Sequence, residues 1–361
     1  MNLAILDYSM LRHVATASVK KNQDMNSAVG HLKCITQSMS EILYSLKTMH
    51  NIDKFCFAMD SKPYWRSDYM QQWYKENTEF LTYNETLYWK AYGCYFKKED
   101  DKLKKVTKKE LKDAELIEAW DDFETLAEDF PLPRYKGTRV PPDYSWLDCE
   151  LAQYFDLLAK LPYCYASVLG GRVVDVKGAE ADDIAGILTK FAKDKGVKIT
   201  LISGDSDWQQ ICAYHDNATF LNPYRDQVYT FADSQEIKLK TMAKIIGGDY
   251  GDGIKGCAHT TAYGPIGETK AEKIVEAQSW SEEVVAKYLA LNKTLVRLHP
   301  DSIPDEVTDA VMANWRAPAE KPIEITWERL QLTEHKRAEL EDKAKAEELW
   351  AQATNTKEIL L

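Results

Sequence analysis

Short apolar runs alternate with stretches of helical spacing along the chain up to about residue 231. The runs are rich in β-branched and aromatic residues and comprise Leu3–Leu6, Phe55–Met59, Val173–Val176, Ile199–Ile202 and Val228–Phe231. Between them, apolar residues recur three or four positions apart, as at Ile184, Ile187 and Leu188. Strands that are apolar on both faces and alternate with helices predict an α/β fold with a mainly parallel sheet.

Acidic side chains follow three of the predicted strands at the point where each strand ends. Asp7 comes directly after the first run, Asp60 directly after the second, and Asp205 follows Ile202 after two small residues. The carboxyl ends of parallel strands share one edge of a sheet, and open α/β folds bind their ligands there. We therefore expect these carboxylates, together with the neighbouring Asp207, to lie close to one another.

A further acidic group, Glu180, Asp182 and Asp183, opens the helix that contains Ile184. One acid in a first turn is ordinary, because it interacts favourably with the helix dipole. Three are harder to explain, because crowded carboxylates repel by about 1 kcal/mol per pair at 4 Å in water and roughly 4 kcal/mol near a protein surface.

The seven carboxylates predict a metal site built from oxygen ligands alone. Such a site selects a hard cation, Mg²⁺ or Mn²⁺. Seven carboxylates exceed what one octahedral ion needs, which favours two ions that together cleave a phosphodiester. The alternative is a calcium-stabilised or merely acidic surface.

Two glycine-containing turns, Gly247–Gly256 and Gly264–Ile274, follow the predicted sheet. The second is a Gly-x-x-Gly sequence that opens a helix, with lysines one turn in. There, backbone N–H groups and the positive helix end can meet a phosphate without reading base identity. The order Gly-Glu-Thr-Lys excludes a nucleotide P-loop. Together with Asp249 and Asp252, these turns predict a DNA-backbone clamp beside the metal site.

Composition limits the remaining possibilities. The 361 residues are 45% hydrophobic, which is enough for a sizeable core. The net charge of −11, from 57 acids and 46 bases, argues against a nucleic-acid binder. If about nine acids gather around metal ions, however, the charge of the remaining residues is nearly balanced and local basic patches are possible.

The seven scattered cysteines suggest neither disulfides nor zinc. We find no signal peptide or membrane span and predict a cytoplasmic protein.

Residues 68–133 depart from the α/β pattern. An aromatic-rich stretch comes first, then a lysine-rich segment, Lys97–Lys112, that we predict to be helical, and then an acidic segment, Asp113–Asp129. We predict an α/β domain over residues 1–240 that contains this insertion, a duplex-binding region over 241–300, and a helical extension over 301–361.

The motifs, taken in order, resemble the 5′ nuclease or flap endonuclease family, which includes phage enzymes named ribonuclease H and the 5′ nuclease domain of bacterial DNA polymerase I. Those that carry the resemblance are Asp7 at a strand end, Met59-Asp60-Ser61-Lys62 with Trp65-Arg66, Tyr135-Lys136-Gly137-Thr138-Arg139, Gly178–Asp183, Ser203–Asp207 and Gly248–Ile254. The resemblance implies a PIN-like sheet, a helical arch over residues 68–133 and a helix-three-turn-helix motif over Gly247–Ile274.

The resemblance also implies a Mg²⁺-dependent enzyme that removes 5′ flaps and RNA primers during replication. Its metal ligands would be Asp7, Asp60, Glu180, Asp182, Asp183, Asp205, Asp207 and Asp252, with Asp249 as a further member. Lys136 and Arg139 would contact the scissile phosphate and stabilise developing charge. The expected DNA-binding residues are Arg66, Tyr135, Lys255, Gly264, Gly267, Lys270 and Lys273.

We expect a monomer that acts on flapped DNA and RNA–DNA hybrids. Binding to replication proteins, such as a single-strand binding protein or a clamp, has no motif to support it. Two other hypotheses remain open at this stage. One is a non-catalytic DNA-junction binder that keeps the fold, and the other is a PIN-type ribonuclease with the same acidic sheet edge.

Overall fold

The structure, a computed structural model, describes most of the 361 residues. The described ranges are 1–19, 28–77, 79–83, 86–91, 94–99, 102–111, 115–117, 134–137, 139, 143–145, 150–225, 227–257, 266–277, 288–318 and 323–358. The chain forms two compact units. Unit 1 comprises Met1–Lys62, Pro142–Ser234 and Pro304–Leu361, and unit 2 comprises Pro63–Pro141 and Gln235–Ile303.

The strands and helices have the following bounds. The strands are β1 Asn2–Asp7, β2 Lys54–Ala58, β3 Glu79–Tyr83, β4 Thr86–Ala91, β5 Cys94–Glu99, β6 Lys102–Val106, β7 Glu115–Ile117, β8 Arg172–Val174, β9 Lys198–Ile202, β10 Ala218–Asn222, β11 Gln227–Tyr229, β12 Gly248–Asp249 and β13 Ile254–Lys255. The helices are α1 Tyr8–Val19, α2 Ala28–Met49, α3 Trp65–Asn77, α4 Leu151–Leu169, α5 Ala181–Lys193, α6 Gln209–Cys212, α7 Ser234–Gly247, α8 Glu268–Glu276, α9 Leu289–Val296, α10 Asp305–Arg316 and α11 Glu334–Glu358.

Unit 1 is built on a six-stranded sheet with the order β11-β10-β9-β1-β2-β8. Four of its pairings are parallel, and the pairing of β10 with β11 at one edge is antiparallel. The central strand β1 pairs with β2 and β9, so Leu6 lies opposite both Phe57 and Ile202. The predicted α/β fold with a mainly parallel sheet is therefore confirmed.

The core of unit 1 explains why these strands are apolar on both faces. Ala4, Ile5 and Leu6 are all buried, as are Phe55 and Phe57 in β2. Helices flank the sheet, and α1, α2 and α4 contribute Leu11, Leu43, Tyr165 and other side chains to the same core. Each fully buried aliphatic or aromatic side chain contributes about 1.5–3 kcal/mol, so the sheet centre is the most strongly held part of this unit.

The polar C-terminal segment also belongs to unit 1. Helix α11 packs against α2, where the Tyr44 hydroxyl donates to Glu341 at 2.5 Å. Leu330 lies in the core cluster of unit 1. The compact units thus divide the chain differently from the predicted domains, because most of residues 301–361 join residues 1–62, while most of 68–133 and 241–300 lie in unit 2.

Unit 2 contains a five-stranded antiparallel sheet with the order β6-β5-β4-β3-β7. The prediction that Lys97–Lys112 is helical is wrong for the strand residues Lys97–Glu99 and Lys102–Val106, although Lys108–Leu111 forms a short 3-10 helix. The predicted helical arch over residues 68–133 stays a prediction. The register places Trp89 opposite Phe96, and Phe96 opposite Lys105. The physical reason is the alternation of aromatic and charged residues, which presents one apolar face to a core containing Trp89, Met70 and Tyr74. Residues 118–133 lie outside the described residues.

The segment predicted to bind duplex DNA contains the helices α7 and α8, with the short β12–β13 ladder between them in the chain, and its function stays a prediction. Gly248 and Gly253 have φ values of +80° and +75°, which favour glycine. A Cβ on Gly256 would lie 1.9 Å from the Ile266 carbonyl oxygen, so the backbone approaches closely there. Gly264 and the adjoining residues 258–265 lie outside the described residues. Among the described residues, no helix is long and apolar enough to cross a membrane.

Candidate functional site

The C-terminal edge of the parallel sheet in unit 1 carries the predicted carboxylates. Asp7 is the last residue of β1, Asp60 follows β2, and Asp205 follows β9. Asp7 is only 9% exposed although it is acidic. The sheet therefore positions an acid at the end of each of three adjacent strands, as the sequence predicts.

Asp7 is held by hydrogen bonds from two neighbours. One carboxylate oxygen accepts from the Met10 backbone N–H at 2.9 Å, and the other accepts from the Ser203 hydroxyl at 3.1 Å. Burial is the main reason that the pKa of Asp7 rises from 3.8 to about 7, and repulsion from Asp60 and then Asp205 adds to the rise. The charges of Asp60 and Asp205 thus act on Asp7 strongly enough to disfavour its ionised form.

Asp60 links this edge to the start of α5, because its carboxylate accepts from the Ala181 backbone N–H at 2.9 Å. Glu180 and Asp183, both fully buried, form a reciprocal capping box on the same helix. The Glu180 backbone N–H donates to Asp183 at 3.0 Å. The capping box accounts for the position of both residues at the start of this helix. They lie where the sequence places them, and their role as metal ligands stays a prediction.

Two residues that sequence analysis missed organise the remaining aspartates. The Ser203 hydroxyl, besides donating to Asp7, accepts from the Asp205 backbone N–H at 3.0 Å. The buried Trp208 indole N–H donates to Asp182 at 2.7 Å. Asp205 in turn accepts from the Asp207 backbone N–H at 2.9 Å. The proximity of Ser203 and Trp208 to the acids in the sequence could have identified them, although their partners are 196 and 26 residues away.

The acidic edge fits a divalent cation in its donor chemistry. Its side chains offer oxygen donors, and a cation would offset the repulsion that raises the pKa of Asp7. Across the part of the chain that the structure describes, no three His, Cys, Asp or Glu side chains stand in an arrangement that would hold one ion. The set of metal ligands therefore stays a prediction.

In unit 2, the predicted acids Asp249 and Asp252 are each paired with a cation. Asp249 accepts from the Lys244 ammonium at 2.7 Å, and Asp252 accepts from the Arg139 guanidinium at 2.5 Å. Sequence analysis missed Lys244, which no motif connects with Asp249. The two carboxylates are thus neutralised by side chains within their own unit, and their role as metal ligands stays a prediction.

A tight turn over Tyr135–Gly137 lies against the same loop. The Lys136 backbone N–H donates to the Asp252 carbonyl at 2.7 Å, and Lys136 has a φ of +54°, an uncommon conformation for a residue with a side chain. Its ammonium lies 5.0 Å from the ring centroid of Tyr64 and 5.2 Å from that of Tyr135. Arg139 keeps 58% of its side chain exposed while bound to Asp252. Both cations are therefore held by structure local to this turn.

Two predicted DNA-binding residues are buried in unit 2. Arg66 is 1% exposed, and its Nε donates to the Leu295 carbonyl at 3.2 Å. Tyr135 is also buried, packs edge-on against Tyr64, and its hydroxyl lies 3.3 Å from Asp252. Tertiary packing encloses both side chains, and their contact with DNA stays a prediction.

Four other predicted DNA-binding residues are described by the structure, and all of them are exposed: Lys255, Gly267, Lys270 and Lys273. Lys255 is exposed, with its ammonium 5.5 Å from the ring centroid of the exposed Tyr250. Gly267 caps the N-terminus of α8, and Lys270 and Lys273 are exposed on that helix. The start of α8 suits phosphate contacts, because its free N–H groups and Lys270 lie there, whereas Lys273 lies in the last turn.

Comparisons with known proteins agree with the sequence resemblance. Residues 100–242 match the family model described as the 5′-3′ exonuclease, N-terminal resolvase-like domain. The chain is 28% identical to DNA polymerase I of Bacillus caldotenax over 184 residues, covering 47% of this chain and 19% of that protein. It is 31% identical to DNA polymerase I of Synechocystis sp. over 175 residues, covering 45% of this chain and 17% of that protein. The chain thus spans less than a fifth of the length of these relatives.

Solved structures of bacteriophage T5 proteins show a weaker likeness. The T5 D15 protein co-crystallised with metal ions has a TM-score of 0.46 and 19% identity, covering 87% of this chain and 99% of that chain. A T5 D15 flap endonuclease variant, described as a pseudo-enzyme-product complex with DNA and metal ions, has a TM-score of 0.48 and 15% identity, covering 96% of this chain and 100% of that chain.

The matched segment contains much of the predicted chemistry. It includes the turn with Lys136 and Arg139, the start of α5, and the Ser203–Asp207 segment. Over residues 100–242 the chain is therefore similar to the resolvase-like N-terminal domain of 5′–3′ exonucleases.

Proposed function

We propose that this protein is a divalent-metal-dependent 5′ nuclease that hydrolyses phosphodiesters in flapped DNA or RNA–DNA hybrids. The observation that carries the proposal is the buried Asp7 at the C-terminal edge of the parallel sheet, whose ionisation Asp60 and Asp205 oppose. A protein gains nothing in stability from such a cluster unless a cation offsets the repulsion. The family match over residues 100–242 supports the same class of reaction.

The ions are proposed to be two magnesium ions, with manganese as a substitute. They would be held by carboxylates drawn from the predicted set: Asp7, Asp60, Glu180, Asp182, Asp183, Asp205, Asp207, Asp249 and Asp252. Bound there, they would supply an activated water and offset the charge that develops on the phosphodiester.

The chain's own residues have distinct parts in this proposal. Ser203 orients Asp7 by donating to it and fixes the backbone of Asp205 by accepting from it. Trp208 holds Asp182 in one orientation. Lys136 and Arg139 would bind phosphate oxygens of the substrate and stabilise charge there. The exposed Lys255 would contact duplex backbone without base specificity.

Cleavage of a 5′-labelled double-flap DNA, in Mg²⁺ and in EDTA, tests the proposal against the same duplex without a flap. We expect release of the flap near its junction in Mg²⁺ and none in EDTA. Cleavage that persists in EDTA would contradict metal dependence. Tight binding that resists EDTA, without cleavage in either condition, would favour a non-catalytic junction binder.

A matched pair of variants locates the active residues. Asp205→Asn keeps an oxygen that can accept from the Asp207 N–H, so we expect normal folding and DNA binding with cleavage lowered by at least about a thousandfold. Asp194→Asn is the control, because Asp194 is exposed at the far end of α5. Full cleavage by Asp205→Asn, or equal losses in both variants, would refute this site.

A further inference from the structure

The turn that carries Lys136 fixes the backbone of this residue. The Lys136 N–H donates to the Asp252 carbonyl at 2.7 Å, and the Gly137 N–H donates to the Arg134 carbonyl at 2.9 Å. Lys136 has a φ of +54°, in the left-handed region that residues with side chains seldom adopt. The turn therefore sets the direction in which the side chain leaves the backbone, whereas the flexible stem beyond it can still rotate. The position of the charge depends on what holds the ammonium group.

Two tyrosine rings flank that ammonium group. It lies 5.0 Å from the ring centroid of Tyr64 and 5.2 Å from that of Tyr135. The two rings are nearly perpendicular, with an interplanar angle of 88° and centroids 6.4 Å apart. A cation within about 6 Å of a ring centroid is attracted by the negative face of the ring. Both rings therefore attract the Lys136 ammonium and limit the positions that it can occupy.

The two tyrosines differ in their other contacts. Tyr135 is buried and its hydroxyl lies 3.3 Å from an Asp252 carboxylate oxygen, so it also supports the turn. Tyr64 is half-buried, packs at the margin of the core of unit 2, and comes from a different segment of the chain, directly before α3. An aliphatic side chain of similar size could fill that margin, whereas only an aromatic ring attracts a cation. Tyr64 is thus the better residue at which to separate packing from an effect on Lys136.

We propose that Tyr64 is a positioning residue for Lys136, whose ammonium group its ring holds at the place where that group meets a phosphate oxygen of the substrate. The inference rests on the proposed function, in which Lys136 binds substrate phosphate. A lysine that is already oriented loses less conformational freedom when the phosphate arrives, so more of the attraction remains to stabilise the charge that develops during cleavage. Tyr64 itself touches neither the substrate nor the reacting atoms.

Single-turnover cleavage of the double-flap DNA by the full chain in Mg²⁺ tests the proposal through a double-mutant cycle. Its variants are Tyr64→Leu, Lys136→Ala and the combination of the two. Tyr64→Phe keeps the ring and its negative faces, whereas Tyr64→pentafluorophenylalanine keeps a packed ring but withdraws the negative charge from its faces. Tyr69→Leu is the matched control, because Tyr69 is also half-buried at the margin of the same core, and its ring packs edge-on against Trp65.

We expect Tyr64→Leu to lower the single-turnover rate about tenfold, with a loss of similar size in Tyr64→pentafluorophenylalanine. Tyr64→Phe and Tyr69→Leu should each stay within about twofold of the original chain. When Lys136→Ala is already present, Tyr64→Leu should lower the rate by no more than about twofold, because no ammonium group remains to be positioned. Fluorescence anisotropy in EDTA should show nearly unchanged binding of the flapped DNA, since the effect arises during cleavage.

Three results would overturn this inference alone. The first is an unchanged rate in both Tyr64→Leu and Tyr64→pentafluorophenylalanine. The second is an equal loss in Tyr64→Phe or Tyr69→Leu, which would indicate a role of the hydroxyl or a general loosening of the core. The third is an equal effect of Tyr64→Leu with and without Lys136→Ala, which would show that Tyr64 acts through another group. Failure of the nuclease proposal would look different, because the original chain would not cleave the flap, and the role of Tyr64 would be refuted with it.

Discussion

Replacing Asp7 by asparagine tests whether the negative charge of this buried side chain lowers the stability of the folded protein. Burial and the neighbouring Asp60 and Asp205 raise the pKa of Asp7 from 3.8 to about 7. Asparagine can still accept from the Met10 N–H through its carbonyl and can donate to the Ser203 hydroxyl oxygen. The variant therefore removes the charge while it keeps the shape and most hydrogen bonds.

The sign of the effect follows from proton linkage. The folded protein keeps the Asp7 proton up to about pH 7, whereas the unfolded chain releases it near 3.8. Proton binding by Asp7 therefore contributes to the free energy of unfolding. This contribution is greatest below pH 3.8 and is lost as pH rises to about 7. At about 1.4 kcal/mol per pKa unit, the loss is roughly 4 kcal/mol. Without metal, Asp7→Asn should thus be about 2–4 kcal/mol more stable at pH 8 and only about 1 kcal/mol more stable at pH 4.5.

Urea denaturation in EDTA at these two pH values, followed by tryptophan fluorescence, would measure the difference. Asp194→Asn, at the exposed end of α5, is the control and should change stability by less than about 0.5 kcal/mol at either pH. Added Mg²⁺ should stabilise the original chain at pH 8 and should stabilise Asp7→Asn much less. If Asp7→Asn is no more stable at pH 8, or gains equally at both pH values, then Asp7 is not under electrostatic strain.

Three further predictions concern single side chains. Lys136→Ala should lower the single-turnover cleavage rate about a hundredfold while leaving flap binding nearly unchanged, and an unaltered rate would remove Lys136 from the proposed phosphate contacts. Trp208→Phe removes the hydrogen bond to Asp182 and should lower cleavage about tenfold with little loss of fold, whereas unchanged cleavage at limiting Mg²⁺ would show that the bond is dispensable. Gly248→Ala should reduce thermal stability and duplex binding, because Gly248 has a φ of +80° and the new Cβ would lie 2.5 Å from the Ile254 carbonyl oxygen. Normal stability of this variant would contradict the conformation of this turn.

The local pattern of apolar and acidic residues was sufficient to predict the parallel sheet and the positions of the acids at its edge. Runs such as Leu3–Leu6 and Ile199–Ile202 are long enough, apolar enough and far enough apart to specify buried strands. An acid that directly follows such a strand must lie at the sheet edge, so Asp7 and Asp205 could be placed without coordinates. The same reasoning places Ser203 beside Asp205 but does not predict its bond to Asp7, which joins residues 196 positions apart.

In Lys97–Lys112, the local residue pattern led to the wrong prediction of a helix where the structure has strands. Lysine and glutamate have good helix propensity, so a lysine-rich segment is easily taken for a helix. The strands form because β5 pairs with β4 and β6, and because Phe96 gains a buried partner in Trp89. Cross-strand packing of this kind outweighs a propensity difference of a few tenths of a kcal/mol per residue.

The sequence by itself determined the α/β class, the apolar strands and the acids that end them, since each depends on residues adjacent in the chain. Only the tertiary structure decided that Arg66 and Tyr135 are enclosed and that Arg139 binds Asp252. Burial and charge pairing depend on which distant segments meet. The free energy of those contacts comes from desolvation and packing, which a linear pattern does not specify.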